Sequence, residues 1–75
     1  MRVINLDETG IKIITSNKKQ MYLSLKEVKE FLDRKYTLSE NLLKLNNKQL
    51  LLTESDMEEF DSMYNYIDGI FKKGK

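Results

Sequence analysis

The sequence predicts a small α+β domain with the element order β-ββα-ββα, in which antiparallel hairpins pack against two helices. Two observations predict this class. An internal repeat relates residues 13–31 to residues 42–60 at a spacing of 29 positions. Within each copy, apolar runs on both sides of a polar turn are followed by an apolar pattern of helical spacing. The chain contains no proline, so we expect a single domain over residues 1–75.

The repeat places turn, strand and helix-cap residues in the same frame, which indicates a ββα duplication. Similar residues also correspond, such as Met21 with Leu50 and Glu27 with Asp56. The predicted units span about residues 11–36 and 40–71, preceded by a strand at residues 2–6. The identical pairs are Asn17/Asn46, Lys19/Lys48, Gln20/Gln49, Leu23/Leu52, Glu30/Glu59 and Phe31/Phe60.

Each unit is expected to begin with a hairpin. The apolar runs at residues 11–15 and 42–45 lead into polar turns centred on Asn17-Lys18 and Asn46-Asn47. Asparagine tolerates a positive φ, which a two-residue hairpin turn requires. The predicted return strands are residues 21–23 and 50–52.

A helix N-cap signal follows each hairpin. Ser24 with Glu27 forms a capping-box pattern, and Thr53 with Asp56 is a close variant of it. Apolar residues then recur at intervals of three and four. The predicted helices span about residues 25–36 and 54–71.

The composition excludes several chemistries. Histidine and cysteine are absent, which removes the commonest acid–base groups, nucleophiles and zinc ligands. The three glycines do not form a phosphate-binding loop. We therefore predict no enzyme, no cofactor and no metal site. No apolar stretch resembles a secretory signal or a membrane span, so we expect a cytoplasmic protein.

Charge is unevenly distributed, because residues 51–71 contain six acids and no base. Four of the acids lie in one line on the second predicted helix, beside apolar side chains that widen its apolar arc. The line is interpreted as a solvated face, as a surface for a protein partner with a basic surface, or as a contact for the chain's own basic hairpins. The predicted partner-binding residues are Glu54, Glu58, Asp61, Asp68, Met63, Tyr66 and Ile70.

The predicted strands are apolar on both faces. In the second hairpin four leucines form a floor for the helices, while Leu42 and Leu51 lie on the opposite face. We assign Ile11, Ile13 and Tyr22 to the corresponding opposite face of the first hairpin. A sheet packed on one side only would alternate apolar and polar residues. Either the hairpins form facing layers, or a homodimer interface is formed by Ile11, Ile13, Tyr22, Leu42 and Leu51.

These features favour a non-catalytic protein-interaction module that forms a homodimer and regulates or inhibits a larger protein machine. By analogy of size and charge, phages and mobile elements encode such proteins. One alternative is a nucleic-acid-binding protein whose basic hairpin tips contact phosphates, and another is a purely structural homo-oligomer subunit. The candidate nucleic-acid contacts are Lys18, Lys19, Arg34, Lys35 and Lys48.

Overall fold

The computed structural model describes residues 1–72, with side chains for residues 1–71; residues 73–75 of the predicted domain lie outside the described part. Two antiparallel three-stranded sheets, ordered β1-β2-β3 and β4-β5-β6, combine with helices and confirm the predicted α+β class. The elements are β1 (Arg2–Asn5), a 3-10 turn (Asp7–Thr9), β2 (Gly10–Ile14), β3 (Gln20–Ser24), α1 (Leu25–Leu32), β4 (Thr37–Ser39), β5 (Leu42–Leu45), β6 (Lys48–Leu51), α2 (Glu54–Glu58) and α3 (Phe60–Lys72).

Each unit has three strands before its helix, one more than the sequence pattern predicts. Residues 37–39 form β4, in which Leu38 pairs with Leu43 of β5. In the first unit, Val3 of β1 pairs with Ile13 of β2 in the same way. Val3 and Leu38 both pack against the core. The duplicated unit is therefore βββα, and β1 belongs to the first copy.

The first helix ends at Leu32 and does not continue to Tyr36. Arg34 adopts a left-handed φ of 62°, and its N–H donates to the Phe31 carbonyl at 3.0 Å. The N–H of Lys35 donates to the Glu30 carbonyl at 2.9 Å. This pair of bonds is the Schellman termination, usually formed with glycine at the left-handed position. Because arginine and not glycine occupies that position, the sequence carries no local signal for the end of the helix.

The second helix is divided at Glu59 into α2 and α3. Glu59 has a φ of −93° and a ψ of 0°. Backbone bonds still cross the junction, because the Glu59 N–H donates to the Ser55 carbonyl and the Met63 N–H donates to the Glu59 carbonyl. α2 and α3 therefore follow each other as one helical stretch with a local irregularity at Glu59.

The first hairpin turn contains three residues, Ser16 to Lys18, where the sequence predicts two. Thr15 donates its N–H to the Lys19 carbonyl at 2.8 Å, and Lys18 adopts a φ of 69°. The second turn has the predicted two residues, Asn46-Asn47, between the paired Leu45 and Lys48. The additional residue changes the register of the first hairpin by one position.

A register shift of one residue moves every side chain of a strand to the other face of the sheet. Ile13 consequently pairs with Met21, and Ile11 pairs with Leu23. Ile11 and Ile13 are fully buried in the core. Their predicted position on the opposite face is wrong for this reason.

The two units hold each other through reciprocal contacts between helix caps and hairpin turns. Asp56, in the capping box of α2, accepts hydrogen bonds from the Ser16 N–H at 3.1 and 3.2 Å. Glu27, in the capping box of α1, accepts one from Asn46 Nδ2 at 3.5 Å. Ser16 and Asn46 are the first residues of the two turns, so each unit's turn contacts the helix start of the other unit.

One hydrophobic core serves both units. Phe31 is fully buried at its centre, where its ring stacks on Tyr36 and meets Phe60 edge-on. Tyr64 donates its hydroxyl to the Leu32 carbonyl at 2.6 Å, which ties α3 to the end of α1. The buried apolar residues are Ile11, Ile13, Met21, Leu23, Val28, Phe31, Leu32, Leu43, Leu45, Leu50, Leu52, Phe60, Met63 and Ile67.

Candidate functional site

An open groove of about 470 Å³ lies between β1 and α3. This volume is within the range of roughly 300–1,000 Å³ that ligand sites occupy. β1 is an outer strand of its sheet, and its Val3 lines the groove. We call this site the β1–α3 groove; it is lined by Met1, Val3, Glu59, Ser62, Met63 and Tyr66.

The helical lining of the groove follows from residue spacing. Tyr66 follows Met63 by three residues and Ser62 by four, and side chains at these spacings share one side of a helix. Met63 is only 6% exposed, whereas Tyr66 is 55% exposed. Met63 therefore forms the floor and Tyr66 the rim. Met63, a predicted partner-binding residue, belongs mainly to the core, and only the floor of the groove leaves it within reach of a partner.

The predicted acidic residues lie on α2 and α3, and α3 also lines the groove. Glu54, Glu58 and Asp61 are all exposed, and we call these three the acidic face. Among the described side chains, the ion pairs involve other groups: the Met1 amino group with Asp56 and Glu59, and Lys48 with Glu27. The acidic face thus keeps its charge open to solvent. Asp68 and Ile70 are half-buried.

The backbone of β1 offers hydrogen-bonding groups to the groove. The Leu6 N–H donates to the Gly10 carbonyl at 2.9 Å, and paired residues in an antiparallel ladder alternate between bonded and non-bonded pairs. The backbone groups of Arg2 and Ile4 therefore point to β2. Those of Val3 and Asn5 point away from it, and within the described chain no strand lies on that side of β1.

Charged groups hold the start of β1 against the second helix. The Met1 amino group lies 2.9 Å from Glu59 Oε1 and 3.3 Å from Asp56 Oδ1. The hydrogen bond to Glu59 raises the pKa of this amino group, although burial opposes the rise. Burial would also raise the pKa of Asp56, but hydrogen bonds from the N–H groups of Ser16 and Thr53 outweigh it and lower that pKa. One end of the groove is thereby fixed by ionic contacts.

The remaining residues of the predicted homodimer interface lie on the outer faces of the two sheets. Tyr22 is 42% and Leu51 54% exposed, and Leu42 is half-buried. Tyr22 and Leu51 occupy corresponding positions on β3 and β6, two edge strands that lie against each other. These three residues stay a predicted interface, whereas the buried Ile11 and Ile13 do not belong to it.

The candidate nucleic-acid contacts are not brought together. Lys18 and Lys19 lie at the turn that contacts the start of α2, whereas Lys48 lies by the start of α1. Lys48 is engaged, because its Nζ donates to Glu27 at 2.6 Å and to the Tyr22 carbonyl. The Arg34 guanidinium lies 4.6 Å from the centre of the Tyr64 ring. Lys35 is exposed.

Charge separates by element type. Every described strand is free of aspartate and glutamate, while Arg2, Lys12, Lys44 and Lys48 lie on strands. The carboxylates are confined to helices and turns. The excess of acid lies on α2 and α3, because α1 carries two lysines and two glutamates.

No helix in the described part of the chain combines the length and the apolar character that crossing a membrane would require.

Comparison with family models, with curated proteins and with solved structures finds no match to this chain. Inferences about its function therefore start from the chain's own geometry and charge.

Proposed function

We propose that this chain is a non-catalytic protein-interaction module that binds a basic surface of a larger protein through the acidic face and the β1–α3 groove. The observation that carries the proposal is the position of Glu54, Glu58 and Asp61, which are exposed and lie outside the ion pairs of the described side chains. Like charges at helical spacings of three and four repel each other. A cationic partner would remove this repulsion.

The fold itself does not require these acids. Within the repeat, the positions that correspond to Glu54 and Glu58 are Leu25 and Lys29, and α1 forms there without a carboxylate at either position. The second unit therefore carries a charge pattern that its duplicate lacks. This difference supports a binding role more strongly than a general need for a solvated surface.

Tyr66 adds an apolar anchor to this charge. Its ring is more than half exposed on the groove rim, and exposed tyrosines are enriched where proteins bind each other. Charge then guides association while the aromatic ring contributes buried area. We further propose that binding regulates or inhibits the partner in the cytoplasm, as small proteins encoded by phages or mobile elements do.

The test is affinity capture from a lysate of the source organism, using charge-reversal variants of equal net charge. The double variant Glu58→Lys, Asp61→Lys changes the acidic face. The control, Glu8→Lys, Asp33→Lys, reverses two exposed acids elsewhere on the molecule. We expect one protein to be captured by the original chain and by the control. The face variant should bind it at least about tenfold more weakly, since tenfold corresponds to only about 1.4 kcal/mol.

Both variants should retain the circular dichroism spectrum of the original chain, because all four side chains are exposed. Equal capture by the face variant and the original chain would contradict the proposal. So would equal loss in both variants, since the effect would then follow net charge and not position.

A further inference from the structure

We propose that the β1–α3 groove binds an extended segment of the partner, which adds to β1 as a fourth strand of the sheet. The segment would present an apolar side chain to the groove, with lysine or arginine two residues away on the same side. This inference depends on the proposed function and specifies how the partner is recognised.

The backbone of β1 provides the first part of the argument. The N–H and C=O groups of Val3 and Asn5 point away from β2, and no strand of the described chain pairs with that edge. A strand added there would lie about 4.8 Å from β1 and would bond to these groups. Peptides commonly bind to free sheet edges in this way.

The side chains of the groove specify the apolar residue. Val3 faces the core side of the sheet, where it pairs with Ile13 and packs on the buried cluster. A residue directly opposite Val3 on an added strand would point to the same side, because paired side chains share one face. It would contact Val3, Met63 and the ring of Tyr66. These surfaces are apolar, so an aliphatic side chain fits this position.

The charges around the groove specify the flanking residues. Side chains two residues apart on a strand point to the same face, so the neighbours of the apolar residue would also face α3. There they would approach Glu59, the carboxylate that lines the groove and is 53% exposed. A long cationic side chain can reach this carboxylate, whereas an acidic side chain would be repelled.

A matched pair of serine variants tests this binding mode. Ser62→Arg places a long cation in the groove, and Ser39→Arg makes the same change at an exposed serine of β4. A phage-displayed library of random heptapeptides would be selected on the original chain and counter-selected on the Ser62→Arg protein. We expect enriched peptides with alternating apolar and Lys/Arg residues. They should bind the Ser39→Arg protein normally and the Ser62→Arg protein at least tenfold more weakly.

Amide hydrogen exchange then locates the peptide. With an enriched peptide bound, the amides of Val3 and Asn5 should exchange at least tenfold more slowly, because they gain hydrogen-bond acceptors. The amides of Arg2 and Ile4, already bonded to β2, should change little. Strand addition is wrong if no peptide distinguishes the original chain from the Ser62→Arg protein, or if protection appears elsewhere. It is also wrong if sedimentation shows that a second copy of this chain occupies the β1 edge.

The same variants separate this inference from the proposed function. Loss of the captured protein with Glu58→Lys, Asp61→Lys but not with Ser62→Arg would keep the acidic face as the binding surface and refute strand addition. Unchanged capture with both variants would refute both proposals.

Discussion

Asp56 brings a negative charge into the junction between the two units. Its side chain is fully buried. It accepts hydrogen bonds from the N–H groups of Ser16 and Thr53 and lies 3.3 Å from the Met1 amino group. A buried carboxylate is tolerated only when such partners replace the water it loses. Removing its charge should therefore loosen the contact between the second helix and the first hairpin.

Asp56→Asn should lower the free energy of unfolding by about 3 kcal/mol, the scale on which breaking a buried charged contact destabilises a protein. The substitution keeps the size of the side chain but replaces an acceptor oxygen with a donor NH₂ that faces other donors. Urea titration monitored by circular dichroism measures the change. Asp61→Asn, at an exposed acid, is the control and should stay within about 0.5 kcal/mol of the original chain. Equal stability of the two variants would contradict this prediction.

Acid should destabilise the protein through Glu27 and Asp56. Burial would raise the pKa of Glu27, but hydrogen bonds from Lys48, Ser24 and Asn46 lower it from 4.5 to about 2. The pKa of Asp56 is lowered as well. A pKa below the unfolded value means that the group stabilises the fold above that value and loses this contribution as the pH falls.

We therefore expect the free energy of unfolding to fall between about pH 4.5 and pH 2. Urea midpoints recorded from pH 7 to pH 2 would show the decrease. Glu27→Gln should give a lower midpoint at pH 7 and a shallower dependence below pH 4.5. An identical slope for Glu27→Gln would show that Glu27 does not contribute.

At the scale of elements, the length of the first turn decides the fold of its hairpin. The three-residue turn places Ile11 and Ile13 in the core, and it requires Lys18 to adopt a left-handed conformation. Left-handed backbone is costly for residues with a Cβ atom, by roughly 1–2 kcal/mol. The turn also places the Ser16 N–H against Asp56. Backbone strain at Lys18 is thus linked to the contact between the units.

Lys18→Gly should raise the free energy of unfolding by about 1 kcal/mol, because glycine adopts positive φ without steric cost. Lys19→Gly is the matched control at an adjacent residue of ordinary φ. It should lower the free energy of unfolding by about 0.5–1 kcal/mol, because glycine loses more backbone entropy on folding. Thermal or urea unfolding of the two variants gives the comparison. Shifts of the same sign would contradict the assigned turn geometry.

The elements that sequence patterns could predict are those with local signals. Both capping boxes form as expected, with Ser24 and Thr53 accepting hydrogen bonds from residues three positions later. The second hairpin has its predicted register. By contrast, β4 has three residues and a single apolar side chain, Leu38. It is too short to show the alternation of apolar and polar residues that predicts a strand. The end of α1 is hidden because Arg34 replaces the usual glycine.

The candidate site was predictable only in part. Helical spacing places Glu54, Glu58 and Asp61 together, and they are exposed as the pattern indicates. The groove depends on how β1 packs beside α3. These elements are far apart in the sequence, so no local pattern predicts their contact. Met63 shows the same limit: spacing places it near Tyr66, but only the packing of the helix decides that Met63 is buried.

At the scale of the whole molecule, the two units stabilise each other. Asp56 of the second unit holds the turn of the first, and Glu27 of the first holds the turn of the second. Phe31 and Phe60, from different units, meet in the common core. Each half separately has fewer than about 40 residues, below the size at which chains normally fold without disulfides, metals or partners.

Cleavage between Tyr36 and Thr37 should therefore give two fragments that are each unfolded alone. Mixed together, residues 1–36 and 37–75 should form a 1:1 complex with the circular dichroism spectrum of the intact chain. Asp56→Asn in the second fragment should weaken this reassembly more than tenfold, since it removes a contact between the fragments. A fragment that folds alone would show that the units are independent.

The difference between the two units has a consequence for stoichiometry. Two identical halves would display two equivalent binding faces and could recruit two ligands per assembly. Here α1 stops after Leu32 while α3 continues to Lys72, and only the second unit has the carboxylate row. With one carboxylate row in the chain, we expect one binding face per chain. A titration against its target should saturate at one target molecule per chain.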